Sequence, residues 1–91
     1  MPRVQVRYQP TPNPNAGKFT VDRPVIEGKA SRTFHSAADA TGHPVATRLF
    51  EIDGVANLFM VDDFITVTKT ASADWSELVP RITVVIEQTM E

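Results

Sequence analysis

Two runs rich in β-branched and aromatic residues, Val55 to Val61 and Phe64 to Lys69, are separated only by Asp62-Asp63. Runs of that kind joined by two residues pair as an antiparallel hairpin, and this constrains the fold more than any other stretch. The turn lacks the glycine that a primed turn prefers, so the two aspartates must supply the turn chemistry. Along the second run Ile65 and Val67 share one face, while Phe64, Thr66 and Thr68 share the other. The threonine side suits water, which predicts a sheet covered on one face only.

The N-terminal part repeats the pattern. Val4, Val6 and Tyr8 alternate with Gln5, Arg7 and Gln9, the period of a half-buried strand. Arg3 and Arg7 mark an exposed face or a charged edge. Pro10, Pro12 and Pro14 then alternate with polar residues, and each biases its predecessor to extended backbone. Lys18 to Asp22 reads as a second strand with Phe19 and Val21 on one face, so a hairpin with a long, proline-stiffened loop is expected. From Pro24 to Thr41 the pattern is weak. Val25-Ile26 and Thr33 to His35 read as short extended pieces, with a turn at Gly28.

Two helices complete the chain. Pro44 suits a first helical position, Val45, Leu49 and Ile52 recur at helical spacing, and Gly54 is a natural stop. The spacing predicts a short helix over 44–51. Asp74 can cap the second helix, with Glu77 completing a capping-box-like arrangement. Trp75, Leu78, Val79, Ile82, Val85, Ile86 and Met90 form its apolar stripe. Pro80 lies inside it and predicts a kink or a tightened first turn. Thr83, Val84 and Thr89 lie off the stripe, on a weak contact surface. The resulting order, β-β-α-β-β-α, predicts a two-layer α+β sandwich with a mainly antiparallel sheet of about four strands and both helices on one face.

With 91 residues the chain is expected to form one domain over 1–91. A net charge of -2 speaks against a nucleic-acid or anionic-membrane binder. No stretch approaches the ~20 apolar residues needed to span a bilayer. The cysteine count is 0, which removes disulfides, thiolate metal sites and a cysteine nucleophile, and the start lacks the apolar run of a secretory signal. A cytoplasmic setting is the expectation from these features.

Little in the sequence supports catalysis. Ser31, Ser36, Ser72 and Ser76 lack a nucleophile-elbow context. His35 and His43 without cysteine make a poor ligand set, and Asp62-Asp63 lacks the further oxygen ligands a hard cation needs. Gly17, Gly28, Gly42 and Gly54 are scattered, so no phosphate-cradling loop is formed. No cofactor and no metal are expected. Asn13 and Asn15 either bond their own backbone and fix the turn, or present amides from a rigid loop to a partner. Trp75 either closes the edge of the core or anchors a partner.

Three strings together carry a family likeness: "TPNPNAGKF", "LFEIDGVANLFMVDDFITVTK" and "DWSELVPRI". In this order, over nearly the whole chain, they resemble the Nfu/NifU N-terminal domain family. The chain departs from the family pattern at His43 and Val45, where Ser and Leu are usual, and at Asp62, where Gly or Pro is usual. The resemblance implies an α+β domain that ordinarily precedes a second domain, one that holds an iron–sulfur cluster through a C-x-x-C pair. Here no cysteine is present, so the chain is expected to be the stand-alone N-terminal domain. It would be a non-enzymatic module accessory to iron–sulfur cluster assembly or delivery, recognising a scaffold, carrier or acceptor protein. Asn13, Pro14, Asn15, Lys18 and Lys69 are the contact candidates. A different reading is a peptide-binding adaptor, including a phosphopeptide-binding one, that uses a strand edge or a groove beside the last helix.

Overall fold

In a computed structural model, residues 4–26 and 31–90 are described. The expectations for Arg3 and Gly28 fall outside that range. Seven elements follow in order: β1 (Val6–Pro10), β2 (Ala16–Val21), β3 (Ser31–Phe34), α1 (Pro44–Phe50), β4 (Val55–Val61), β5 (Phe64–Lys69) and α2 (Trp75–Met90). The sheet is antiparallel, with strand order β1-β2-β5-β4-β3. It therefore has five strands rather than about four. The additional strand, β3, lies at the sheet edge, and only its Phe34 is buried. A short strand with one buried side chain has no period-two signature to read.

Register explains which face is covered. Phe19 stands opposite Ile65, Met60 opposite Ile65 on the other side, and Leu58 opposite Val67 and Phe34. These side chains share one face and are all fully buried. From above they meet Val45, Ala46 and Leu49 of α1 and Leu78, Ile82 and Ile86 of α2. Helix α1 packs on α2 and β4, and α2 also reaches β1. Fully burying a side chain such as Ile82 contributes about 1.5–3 kcal/mol. The opposite face carries Arg7, Lys18, Thr66, Phe59 and Phe64, and neither of the described helices packs on it.

The β4–β5 turn occupies Asp62-Asp63, and Asp62 takes a φ of 55°. Aspartate tolerates this left-handed backbone better than most residues, so it stands in for the missing glycine. The turn also receives the strand exit. Val21 N–H donates to the Asp63 carbonyl at 2.7 Å, and Val25 N–H to the Asp62 carbonyl at 2.8 Å. Between Val55 and Asn57 the β4–β5 register slips by one residue, a bulge centred on Ala56.

Both helix starts are capped by side chains. At α1 the cap is His43, whose Nδ1 accepts the Ala46 N–H at 3.3 Å. Its Nε2 lies 3.2 Å from the Val25 carbonyl. With Nδ1 as the acceptor, Nε2 carries the proton and donates, so one imidazole joins α1 to the end of the β2 excursion. The ring also meets Phe34 edge-on at 5.5 Å. At α2, Asp74 Oδ1 accepts the Ser76 N–H at 3.0 Å. The Asp74 carbonyl accepts from both Glu77 and Leu78 N–H, a tightened first turn of the kind expected ahead of Pro80. Beyond it α2 runs through Pro80 to Met90. Among the described residues the Glu77 carboxylate makes no return bond, so the capping box is half present.

Replacing His43 by Ala removes both bonds at once. The loss of a capping side chain is expected to cost about 1 kcal/mol, read as a lower urea midpoint with an unchanged slope. A second outcome follows from Asp74. The bonds from Ser76, backbone first and side chain second, hold its carboxyl below its ordinary value, with Lys69 adding a smaller pull. A folded-state pKa that is depressed gives stability present above the unfolded value and lost as pH falls through the folded one. Asp74→Asn keeps the cap but drops the charge. Wild type is expected to be the more stable at neutral pH, and the gap should close in urea titrations as pH drops through the carboxylate range.

Candidate functional site

The proline loop between β1 and β2 is built around Thr11. Its hydroxyl accepts the Asn13 N–H at 3.2 Å and lies 2.9 Å from the Ala16 carbonyl, to which it donates. Asn13 Oδ1 accepts the Asn15 N–H at 2.9 Å, and the Asn13 carbonyl accepts the Ala16 N–H at 3.0 Å. Asn13 therefore uses its side chain to fix the turn, while Pro12, Asn13 and Pro14 are exposed.

Three long-range bonds, from two residues, then fasten this loop to the rest of the molecule. Trp75 Nε1 donates to the Pro14 carbonyl at 2.9 Å. Lys69 Nζ donates to Asn15 Oδ1 at 3.2 Å, and the Lys69 N–H donates to the Asn15 carbonyl at 2.8 Å. The antiparallel pairing of β2 with β5 makes the second contact possible, because Ala16 lies opposite Thr68. Asn13, Pro14, Asn15 and Lys69 thus converge. Lys18 does not join them. It points to the open face, where its Nζ sits 4.5 Å from the centroid of the Phe64 ring. This places it on a separate surface, beside Phe59, whose ring centroid is 6.5 Å from that of Phe64.

Beneath the loop lies an aromatic triangle. Tyr8 and Phe19 are 5.2 Å apart by centroid, Tyr8 and Trp75 5.7 Å, and Phe19 and Trp75 6.3 Å. Such tilted pairs contribute about 0.5–1.5 kcal/mol beyond their buried area. Gly17 makes room for them. A Cβ there would stand 2.7 Å from Tyr8 Cε1 and 3.0 Å from the Trp75 ring. Trp75 therefore serves the core edge through its ring and the loop through its N–H. Thr11 and Gly17 were not singled out by the sequence reading. The threonine two residues ahead of Asn13 was a readable turn signal, whereas the glycine's role depends on rings brought from distant elements.

Gly17→Ala is expected to displace Tyr8 or Trp75, cost about 1–3 kcal/mol, and lower tryptophan-monitored urea stability. A variant as stable as wild type, with an unshifted tryptophan emission maximum, would contradict the packing described.

Residues 6–91 match the family described as "Scaffold protein Nfu/NifU N terminal". The human NFU1 iron-sulfur cluster scaffold homolog, mitochondrial, is 44% identical over 78 residues, spanning 85% of this chain and 30% of that protein. NifU-like protein 4, mitochondrial, from Arabidopsis thaliana is 39% identical over 77 residues, spanning 85% of this chain and 27% of that protein. The chain thus spans less than a third of the length of these curated relatives. The crystal structure of protein SAV1430 from Staphylococcus aureus superimposes with a TM-score of 0.79 at 30% identity, covering 91% of this chain and 99% of that one. The relatives are named mitochondrial, which overturns the cytoplasmic expectation. The cytoplasmic expectation leaned on a cysteine count of 0, a feature that does not distinguish one compartment from another. The match over residues 6–91, together with these identities, places the chain in the Nfu/NifU N-terminal family.

Proposed function

We propose that the chain is a non-enzymatic protein-interaction module serving iron–sulfur cluster assembly or delivery, and that residues 1–91 act as one unit recognising a scaffold, carrier or acceptor protein. The observation that carries this reading is family membership over residues 6–91 in a chain with a cysteine count of 0. Iron–sulfur clusters are held by thiolates, so the contribution of this chain is recognition of a protein that holds one. Among the described residues no three His, Asp or Glu side chains gather in a metal-holding group.

The proline loop is the contact surface in this reading. Its exposed Asn13 and Pro14 are held by bonds to Thr11 and Trp75, and the adjoining Asn15 by a bond from Lys69, so a partner meets a surface already ordered. Asn15 Oδ1 accepts from the Lys69 ammonium and holds that cation beside the loop. Lys18 offers a further contact from the open sheet face.

Affinity capture with the immobilised chain tests this. The wild-type chain is expected to enrich cluster-assembly or cluster-containing proteins. The double variant Asn13→Ala, Asn15→Ala is expected to lose them about tenfold, the equivalent of about 1.4 kcal/mol, while retaining its circular dichroism spectrum. Capture undiminished by the double change would refute the loop assignment. Captured proteins unrelated to iron–sulfur clusters would refute the function.

A further inference from the structure

A second surface, apart from the proline loop, runs along the outer side of α2. Near the start of the helix a cleft of about 400 Å³ is lined by Asp53, Gly54, Asp74, Glu77 and Arg81. Further along, an open-sided groove of about 610 Å³ is lined by Ile52, Pro80, Val84 and Val85, and again by Asp53 and Arg81. Asp53 and Arg81 line both, so the two clefts adjoin and together make a channel-like surface between the end of α1 and α2.

Its floor is apolar where α2 should meet water. Leu78, Ile82 and Ile86 point into the core, whereas Val84 stands off that stripe and is 46% exposed. Among the described residues only Phe59, on the far side of the sheet, is another large hydrophobic residue so exposed. The channel wall is also set firmly. Gly54 holds a φ of +102°, and a Cβ there would lie 2.9 Å from Ala73 Cβ.

The rim is acidic. Among the described residues Asp53, Asp74 and Glu77 belong to no ion pair, while Glu51 is already matched by Arg48 at 3.3 Å. Arg81 is the cation lining both clefts. The open sheet face has the opposite character, with Arg7, Lys18, Phe59 and Phe64 and no carboxylate among its described strand residues.

We propose that this channel docks a basic amphipathic segment of a partner protein, whose apolar side chains cover Val84, Val85 and Ile52 and whose lysines or arginines meet Asp53, Asp74 and Glu77. An apolar strip bordered by carboxylates is complementary to that chemistry, and helix-in-groove recognition uses this arrangement of anchors. Complementary charge of this kind fixes register and speeds encounter, while the apolar anchors hold the segment in place.

The test uses a short leucine–lysine amphipathic peptide and its leucine–glutamate counterpart as probes, added to the isotope-labelled chain at physiological salt. With the lysine peptide, amide shifts are expected at residues 52–54 and 74–85. Val84→Asn is expected to weaken binding about tenfold, and Asp53→Asn with Glu77→Gln to weaken it similarly and flatten its salt dependence. All three residues lie at the surface or rim, and an unchanged amide spectrum verifies that each variant folds. Lysine-peptide shifts centred on Lys18, Phe59 and Phe64, equal shifts from the glutamate peptide at α2, or affinity indifferent to both sets of variants would overturn the proposal. None of the substituted residues, Val84, Asp53 and Glu77, lies in the proline loop or makes one of the bonds that fasten it, so this docking site and the loop reading fail independently.

Discussion

Helix α2 begins at Trp75, and the indole N–H of that first residue is committed to the carbonyl of Pro14 across 61 positions of sequence. The ring beneath it completes a triangle with Tyr8 and Phe19, and Gly17 leaves the space the ring needs. Three prolines make the loop stiff but poor in donors, so ladder bonding holds it only at its end, where the Lys69 N–H meets the Asn15 carbonyl. The indole supplies the missing donor. In consequence the loop and α2 share one position, and the channel along α2 starts where the loop is anchored.

How much of this was readable depended on the range of the interaction. The β4–β5 hairpin was legible because β-rich runs flank a two-residue turn, all within local sequence. The short helix after Pro44 was legible for the same reason. Strand β3 was legible only in part: Thr33 to His35 read as an extended piece, but a four-residue edge strand with Phe34 alone buried leaves no periodic trace to mark it as a full member of the sheet. The bulge at Ala56 was likewise hidden, because an added residue reads as a continuation of the strand until its partner is known. Within the candidate site, Asn15 and Lys69 meet only through β2–β5 pairing, which sequence spacing does not reveal. The separation of Lys18 from them was implicit in its alternation with Phe19, whose burial turns its neighbour to the other face.

Charge is distributed unevenly over a molecule whose net value is only -2. Carboxylates gather beside α2, while Lys18 and Arg7 occupy the uncovered face of the sheet. Overall composition therefore says little about what each surface attracts. Local complementarity decides that, and the carboxylate-lined side of α2 and the uncovered sheet face differ in sign.

The strand order β1-β2-β5-β4-β3 has a consequence for how the chain comes together. Each hairpin closes between neighbours, but the seam at the sheet centre joins β2 to a strand made much later. During synthesis the inner edge of β2 has no mate until Lys69 has left the ribosome, and Trp75 arrives later still to lock the loop. Assembly speed is therefore governed by one distant closure, and the early hairpin must wait with half its amide groups in water.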